Sequence, residues 1–231
     1  MKRIETIDDI MPGRTDRSVI IGMTGCGKTT LAMEIIKRRF SQGGHVVIYD
    51  AKGLIETPQI IDKNGELITF DRVESFADCI RSKAKGIIYA PNHEELDLQN
   101  PVMFARLNDF FRWIYERKNT TIYVDEVFSL MQGKKIPHYY HACITRGRAL
   151  NISVISGTQI PKEIPQVVLS ESEHWYVFKL TLPQHQKRIE EIIALRMERI
   201  QKLVKREFFY ASVENDDIIG PIKLNFSGKV N

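Results

Sequence analysis

The segment Gly22-Met23-Thr24-Gly25-Cys26-Gly27-Lys28-Thr29 has the spacing G-x-x-x-x-G-K-[ST] of a phosphate-binding loop. Its three glycines let the backbone curl closely, so that N–H groups face phosphate oxygens, while the start of the next helix adds a positive dipole. Lys28 would supply a point charge, and the Thr29 hydroxyl would contact the magnesium ion that bridges the same phosphates. With Thr30, these residues form the predicted site for a nucleoside triphosphate.

Both flanks of this loop have the character that the motif requires. Ser18-Val19-Ile20-Ile21 before it is strand-like, and the segment after it, residues 28–40, places Leu31, Ile35 and Ile36 near one helical face. The alternative is a Gly-rich turn that ends in Lys-Thr by chance. Because strand, loop and helix agree, the context favours the nucleotide site.

The chain has 231 residues, of which 43% are apolar and 27% charged, enough for one substantial core. We expect a single domain over residues 1–231, with a core over about 15–182 and a C-terminal helix and β-rich tail over about 184–231. No apolar run approaches the roughly 20 residues needed to cross a bilayer, and the first residues lack the apolar core of a signal peptide. These features predict a soluble, intracellular protein without direct membrane insertion.

Cysteine usage and net charge add little to this picture. Cys26, Cys79 and Cys143 are odd in number and far apart, without the paired spacing of a zinc site, which predicts reduced thiols. The net charge of +4 is compatible with a polyanionic partner, but so mild an excess also occurs in ordinary soluble enzymes. Charge alone therefore does not identify a partner.

Strand-like and helix-like segments alternate along the chain. The expected strands are 18–21, 45–50, 86–90, 120–126, 151–157 and 174–180, and the expected helices are 28–40, 73–81, 101–117, 139–150 and about 184–204. This alternation predicts an α/β fold with a mainly parallel central sheet flanked by helices. Ligands are expected at the carboxyl ends of the strands.

Asp125 and Glu126 close an apolar strand about 100 residues after the phosphate loop. A nucleotide hydrolase needs one carboxylate for the metal shell and a second for the attacking water, and adjacent side chains that diverge at a strand end can serve both roles. We assign Asp125 to the metal and Glu126 to the water. The alternative is an acidic pair that caps the following helix.

Polar side chains follow two further strands at the edge where ligands are expected. Gln159 follows the 151–157 strand, where it could sense the terminal phosphate, although a turn glutamine on the surface is the ordinary explanation. Asp50 and Lys52 end the second strand at the same edge. A simple turn explains this pair, and we assign it no catalytic role.

Arg146 and Arg148 precede the 151–157 strand. An arginine near the domain edge can reach a nucleotide held by a neighbouring copy and stabilise charge in the transition state. Surface arginines or helix-end caps explain the spacing equally well.

A conjunction of motifs resembles the FtsK/HerA superfamily of DNA-pumping ATPases. The sequence carries Val124-Asp125-Glu126, then Arg148-Ala149, then the strand that ends Gly157-Thr158-Gln159-Ile160-Pro161. Members of that superfamily have an apolar strand into Asp-Glu, an Arg-Ala pair and a strand that ends Thr-Gln-x-Pro. With the phosphate loop, the similarity covers about residues 15–182.

The resemblance implies a RecA-like (ASCE) P-loop NTPase fold that works as a ring, usually a hexamer, and threads double-stranded DNA while it hydrolyses ATP between subunits. It implies a Mg²⁺-dependent ATPase in which Lys28 and Thr29 hold phosphate and metal, and Asp125, Glu126 and Gln159 match the metal, water and sensor positions. Arg148 matches the Arg of the Arg-Ala pair and is the first choice for a finger that acts in trans, with Arg146 as the second.

The turn that contains Lys134 and Lys135 resembles the DNA-facing pore loop of the chromosome translocases within this superfamily. A solvated Gly-Lys-Lys turn explains these residues about as well.

Two departures narrow the resemblance. Only 21 residues precede the phosphate loop, and neither the membrane spans nor the winged-helix module of the chromosome translocases is visible. Ile160 stands where those enzymes often have arginine, so no role is carried onto it. The motif set is most similar to the genome-packaging ATPases of tailless icosahedral viruses with double-jelly-roll capsids and an internal membrane. That similarity implies capsid or packaging-vertex proteins as partners and a location at the virion and in the host cytoplasm.

Other functions remain open at this stage. A cellular HerA-like translocase or a conjugation ATPase would share the same motifs, and an assembly ATPase of filamentous phage would normally add a membrane segment. From a different class, a small-molecule P-loop kinase would not need the water-activating Glu126. A nucleotide-switched binding module without hydrolysis is a further alternative.

Overall fold

A nine-stranded sheet forms the centre of the computed structural model, which describes residues 7–41, 43–61 and 65–224 without the side chains of 215–217. Residues 1–6 and 225–231 of the predicted domain lie outside the described residues. The strands are β1 (Arg17–Ile21), β2 (His45–Tyr49), β3 (Ile60–Ile61), β4 (Leu67–Ile68), β5 (Phe70–Val73), β6 (Gly86–Tyr89), β7 (Thr120–Val124), β8 (Ser153–Thr158), β9 (His174–Phe178), β10 (Glu207–Ser212) and β11 (Asn215–Lys223).

The helices connect these strands and cover the sheet. They are α1 (Lys28–Ser41), α2 (Phe76–Arg81), α3 (Pro101–Arg117), α4 (His138–Arg146), α5 (Gln166–Ser170), α6 (Pro183–Ile193) and α7 (Met197–Lys202). Three short 3₁₀ helices span Ile7–Ile10, Val127–Leu130 and Gly147–Leu150. None of the helices in the described ranges combines the length and the apolar character of a membrane span.

The strand order is β11-β10-β9-β1-β8-β7-β2-β6-β5, and β3 pairs separately with β4. The seven strands from β9 to β5 run parallel, whereas β10 and β11 extend the β9 edge in antiparallel fashion. The predicted α/β class with a mainly parallel sheet is therefore confirmed. The connections are crossovers because neighbouring parallel strands cannot be joined by short turns.

Successive side chains along the central strands point to opposite faces, and each face has its own hydrophobic core. In β1, Val19 and Ile21 join the core under α3 and α4, while Ile20 joins the core under α1. Both faces are buried, which explains why these strands appear in the sequence as continuous apolar runs.

Helix α3 has the predicted bounds because both its ends carry local signals. The Asn100 side chain accepts a hydrogen bond from the Val102 N–H at 3.0 Å, and Pro101 occupies the first turn. Its buried apolar residues are Leu107, Phe110, Phe111 and Ile114, and the ring of Phe110 contacts that of Phe111 at a centroid distance of 5.0 Å.

Several predicted bounds are wrong. The helix expected over about 184–204 breaks at Ala194, which has a φ of 57°, and the chain turns there so that Leu195 is buried. The helix expected over 139–150 ends at Arg146 and continues as a 3₁₀ turn. Val73, where a helix was expected to begin, is the last residue of strand β5, and the helix starts only at Phe76 with Ser75 as its N-cap.

Gly157 lies where β7 and β8 approach too closely for any side chain. A Cβ at this position would lie 3.0 Å from the carbonyl carbon of Asp125, closer still to its oxygen, and 3.1 Å from the Val124 oxygen. These neighbours are backbone atoms of a central strand and cannot rotate away. Only glycine therefore fits between the carboxyl ends of β7 and β8.

We predict that Gly157→Ala lowers the free energy of unfolding by about 1–3 kcal/mol, because the added methyl group must push two central strands apart. Urea unfolding followed by circular dichroism measures the effect. Gly86→Ala is the matched control, since the three atoms nearest to its Cβ belong to the Phe70 side chain and not to the backbone of a strand. An equal loss in the two variants would contradict this explanation.

Candidate active site

The predicted nucleotide-site residues meet at one edge of the sheet. The phosphate loop follows β1, Gln159 follows β8, and Asp125 with Glu126 follows β7. These strands are parallel neighbours in the order β1-β8-β7, so their carboxyl ends lie side by side. The fold thus brings together residues from three separate parts of the sequence.

The phosphate loop has the backbone that its glycines permit. Gly25 and Gly27 have φ values of 73° and 120°, a region that other residues avoid. The Lys28 ammonium is largely buried and donates to the carbonyl oxygens of Gly22 at 2.8 Å and Met23 at 3.1 Å. Burial lowers the pKa of Lys28, while Cys26 and the carboxylates of the acidic pair raise it.

Thr29 and Asp125, the two residues assigned to the metal, are joined by a hydrogen bond. The Thr29 hydroxyl donates to Asp125 Oδ1 at 2.9 Å, and the Tyr123 hydroxyl donates to the same oxygen at 2.6 Å. Burial raises the pKa of Tyr123 well above its ordinary value, so this phenol stays a donor. A hydroxyl and a carboxylate side by side are the hard oxygen ligands that Mg²⁺ takes, so this donor set fits a magnesium nucleotide.

Glu126 and Gln159 form a second connected pair. The Gln159 N–H donates to Glu126 Oε2 at 3.2 Å, and the Gln159 side-chain oxygen accepts from the Thr24 hydroxyl at 2.6 Å. Burial raises the pKa of Glu126, although hydrogen bonds from Thr158 and the Gln159 N–H lower it. Gln159 therefore joins the phosphate loop to the carboxylate that we assigned to the water.

The acidic pair does not cap a conventional helix. Glu126 occupies the N-cap position of the short 3₁₀ turn that follows, yet its side chain makes no capping hydrogen bond there. Both carboxylates instead contact the residues of the phosphate site. The competing explanation for this pair is thus disfavoured by the contacts.

Residues from the C-terminal part of the chain contact the phosphate loop. The Arg206 N–H donates to the Cys26 carbonyl oxygen at 2.9 Å, and the Phe178 ring packs against Gly27. No sequence signal indicated Arg206, because the contact depends on where β9 and β10 place the chain about 180 residues after the loop.

Lys52 also reaches this site, which the sequence analysis did not predict. Its ammonium lies 3.9 Å from Asp125 Oδ2, and its side chain is 39% exposed. Strand β2 pairs with β7 in parallel, so the residues after their carboxyl ends lie next to each other. The signal that could have found it was the position of Lys52 just past a strand of the active edge.

The two arginines lie elsewhere. Arg148 precedes β8, at the opposite edge of the sheet from the phosphate loop of its own chain, and its guanidinium pairs with the Glu173 carboxylate. Glu173 also accepts from the Arg17 backbone N–H at 3.0 Å. The structure therefore does not bring Arg148 to the nucleotide site of its own chain.

Arg146 lines a groove of about 760 Å³ that runs along α3 and α4. Lys134 and Lys135 line the same groove and lie in an exposed turn closed by hydrogen bonds between Gln132 and Lys135. The histidines His138 and His141 contribute to its wall. These side chains give the groove a positive rim, separate from the phosphate loop.

Known proteins resemble this chain in sequence and in fold. No protein-family model matches the chain. It is similar to the DNA packaging ATPase P9 of Enterobacteria phage PRD1, with 23% identity over 196 residues that cover 83% of this chain and 76% of P9.

Among solved structures, the chain is similar to the genome packaging NTPase B204 of Sulfolobus turreted icosahedral virus 2 in complex with AMP. The TM-score is 0.68 at 16% identity, over 93% of this chain and 100% of B204. VirB4 of Thermoanaerobacter pseudethanolicus gives a TM-score of 0.65 at 12% identity, over 93% of this chain and 91% of VirB4. The chain therefore has the RecA-like P-loop ATPase fold, and its resemblance to FtsK/HerA-type ATPases and viral packaging ATPases is confirmed.

Proposed function

We propose that this chain is the ATP-hydrolysing subunit of a motor that packages a viral double-stranded DNA genome into a preformed capsid. The observation that carries the proposal is the junction of Thr29 with Asp125 and of Gln159 with Glu126. It provides a metal position and a water position beside one phosphate loop. The similarity to the packaging proteins P9 and B204 supports genome packaging as the process to which hydrolysis is coupled.

In this proposal Lys28 holds the phosphates, while Thr29 and Asp125 hold the metal. Bound Mg·ATP supplies the phosphoryl group that is transferred and part of the charge neutralisation. Glu126 orients the attacking water and accepts its proton, and its buried position makes the deprotonated carboxylate a stronger base. Gln159 couples the phosphate loop to Glu126, because its side chain accepts a hydrogen bond from the Thr24 hydroxyl and its backbone N–H donates to Glu126.

Arg148 is proposed to act on the nucleotide of a neighbouring subunit. Its place at the amino ends of the strands prevents it from serving its own site, and the edge position leaves it available to a partner. Glu173 would hold the guanidinium until an anionic phosphate competes for it. A ring, usually of six subunits, would then share each site between two copies.

The proposed DNA contact is the turn that carries Lys134 and Lys135. Both side chains are exposed, and Arg146 extends their positive charge along the same groove. Phosphate backbones are bound by such charges without regard to sequence, as a DNA pump requires. We therefore assign Arg146 to this groove in preference to the role in trans. Capsid or packaging-vertex proteins are the proposed further partners, at the virion and in the host cytoplasm.

A conjugation-type or HerA-like DNA pump is the second candidate, favoured by the similarity to VirB4. It would use the same nucleotide chemistry. A small-molecule kinase is disfavoured because Glu126 lies beside the phosphate loop as a water-activating residue, for which a kinase has no use.

We predict that Glu126→Gln keeps ATP binding and lowers kcat by about 10²–10⁴-fold, because the amide cannot take a proton from water. Phosphate release and equilibrium nucleotide binding measure the two effects. For the unaltered protein, kcat should fall as the pH drops through the raised pKa of Glu126, at higher pH than for an ordinary glutamate. Glu116→Gln, on the exposed face of α3, is the matched control. Normal turnover of Glu126→Gln would remove the assignment.

Mixing experiments test the proposed role of Arg148. Arg148→Ala and Glu126→Gln subunits should each be inactive alone. Mixtures should recover activity at shared sites where the Arg148→Ala subunit supplies Glu126 and the Glu126→Gln subunit supplies Arg148. Phosphate release is measured across mixing ratios. An Arg17→Ala variant serves as the comparison, since it also alters the Glu173 cluster. Absence of recovery at every ratio would exclude action in trans.

DNA stimulation tests the motor itself. Duplex DNA should raise phosphate release, and Lys134→Ala with Lys135→Ala should remove most of that stimulation while basal hydrolysis persists. The plot of log affinity against log salt has a negative slope. Its magnitude should decrease by about 1.8, because each of the two lost phosphate contacts contributes about 0.9. Lys83→Ala with Lys85→Ala, in the turn before β6, removes the same charge from the opposite edge. Turnover that ignores DNA in the unaltered protein would contradict the proposed function.

A further inference from the structure

The turn after β2 is held by an ion pair between the buried Asp50 and the partly exposed Arg72. The Asp50 side chain is fully buried and accepts from the backbone N–H groups of Ile55 at 2.8 Å and Leu54 at 3.3 Å. Arg72 donates to Asp50 at 3.4 Å and to the carbonyl oxygens of Gly53 at 2.8 Å and Ile55 at 2.7 Å. The backbone on both sides of the turn is therefore fixed by charge-assisted hydrogen bonds.

This rigid turn presents Lys52 to the active edge. The Lys52 ammonium lies 3.9 Å from Asp125 Oδ2, while the other oxygen of that carboxylate is occupied by Thr29 and Tyr123. A partly exposed ion pair of this length contributes little to stability. Support of the fold therefore does not account for the placement of Lys52.

Lys52 belongs to a cluster of four charges. Burial is the main influence on Lys28 and Glu126, but the Lys52 charge also acts on both, lowering the pKa of each. Two cations and two carboxylates thus converge where the phosphate loop faces the acidic pair. The two cations together could balance an anion with more charge than Lys28 alone can match.

The strand order shows from which side Lys52 approaches. The phosphate loop follows β1, whereas Lys52 follows β2, and β8 and β7 lie between them. Lys52 therefore reaches Asp125 from the side remote from the loop. The loop would bind the phosphates nearest to its own backbone. An ammonium on the far side of the acidic pair would therefore face the terminal phosphate of a bound nucleotide.

We propose that Lys52 is a second phosphate-binding cation, which contacts the terminal phosphate and lets the site distinguish a nucleoside triphosphate from a diphosphate. The inference rests on the proposed function of the phosphate loop. Lysine suits this task because its ammonium is a compact charge with three donors on a flexible stem. When it moves to phosphate, it releases Asp125 Oδ2 for the metal shell.

The test compares the binding of ATPγS and ADP by calorimetry, with and without Mg²⁺. Lys52→Met should weaken ATPγS binding by about tenfold, the loss expected for one charged hydrogen bond, and should leave ADP binding within about twofold of normal. The loss should persist without Mg²⁺, because the proposed contact is to phosphate. Lys52→Arg should recover part of it, since the positive charge is retained. Lys83→Met, on the opposite edge, is the matched control.

Each outcome has a distinct meaning. Equal loss of ATPγS and ADP affinity would show that Lys52 only supports the site, and a loss confined to Mg²⁺ would show that it acts through Asp125. Either result, or no loss at all, would overturn the inference. Failure of the unaltered protein to bind ATPγS would instead contradict the proposed function. Because Lys52 is partly exposed, Lys52→Met is expected to fold, and its thermal unfolding midpoint verifies this.

Discussion

The hydrogen bond from the Thr29 hydroxyl to Asp125 Oδ1 joins two segments that lie 96 residues apart, and the geometry of the site depends on it. It forms only if the first turn of α1 sits over the carboxyl end of β7. That placement requires β8 to pass between β1 and β7 without a side chain at Gly157. A packing constraint in the centre of the sheet thus sets the distance between the phosphate-binding and acid-bearing parts of the site.

The electrostatics follow from the same placement. Lys28 and Glu126 are both removed from water, which disfavours the charged form of each. Each nevertheless lies near opposite charge, so neither is buried alone. Such an arrangement suits a site that receives a highly charged ligand, because the protein charges are already oriented and little reorganisation is needed on binding.

The sequence was sufficient for the parts of the molecule that local patterns determine. The phosphate loop, the parallel sheet and the bounds of α3 depend on turn glycines, continuous apolar runs and helix-end residues, all visible in one stretch of chain. It also indicated that Asp125 and Glu126 would meet the loop, since the carboxyl ends of parallel strands share one edge.

What could not be predicted depends on tertiary packing. The helix breaks at Ala194, and Leu195 is buried after the break. In a sequence, an apolar residue that continues a helix cannot be told from one that follows a break. Lys52 was assigned to a simple turn because its position beside Asp125 depends on the ion pair between Asp50 and Arg72, which links residues 22 apart. The roles proposed for Arg146 and Arg148 likewise depend on where the fold places them, Arg146 at the groove along α3 and α4 and Arg148 at the amino ends of the strands.

The hydrogen bond between the Arg206 N–H and the Cys26 carbonyl has a consequence for synthesis on the ribosome. Strand β1 pairs with β8 and β9, and the contact with the loop that follows β1 needs residue 206, so a nascent chain lacks these partners until they have been synthesised. The candidate nucleotide site is therefore complete only late in synthesis.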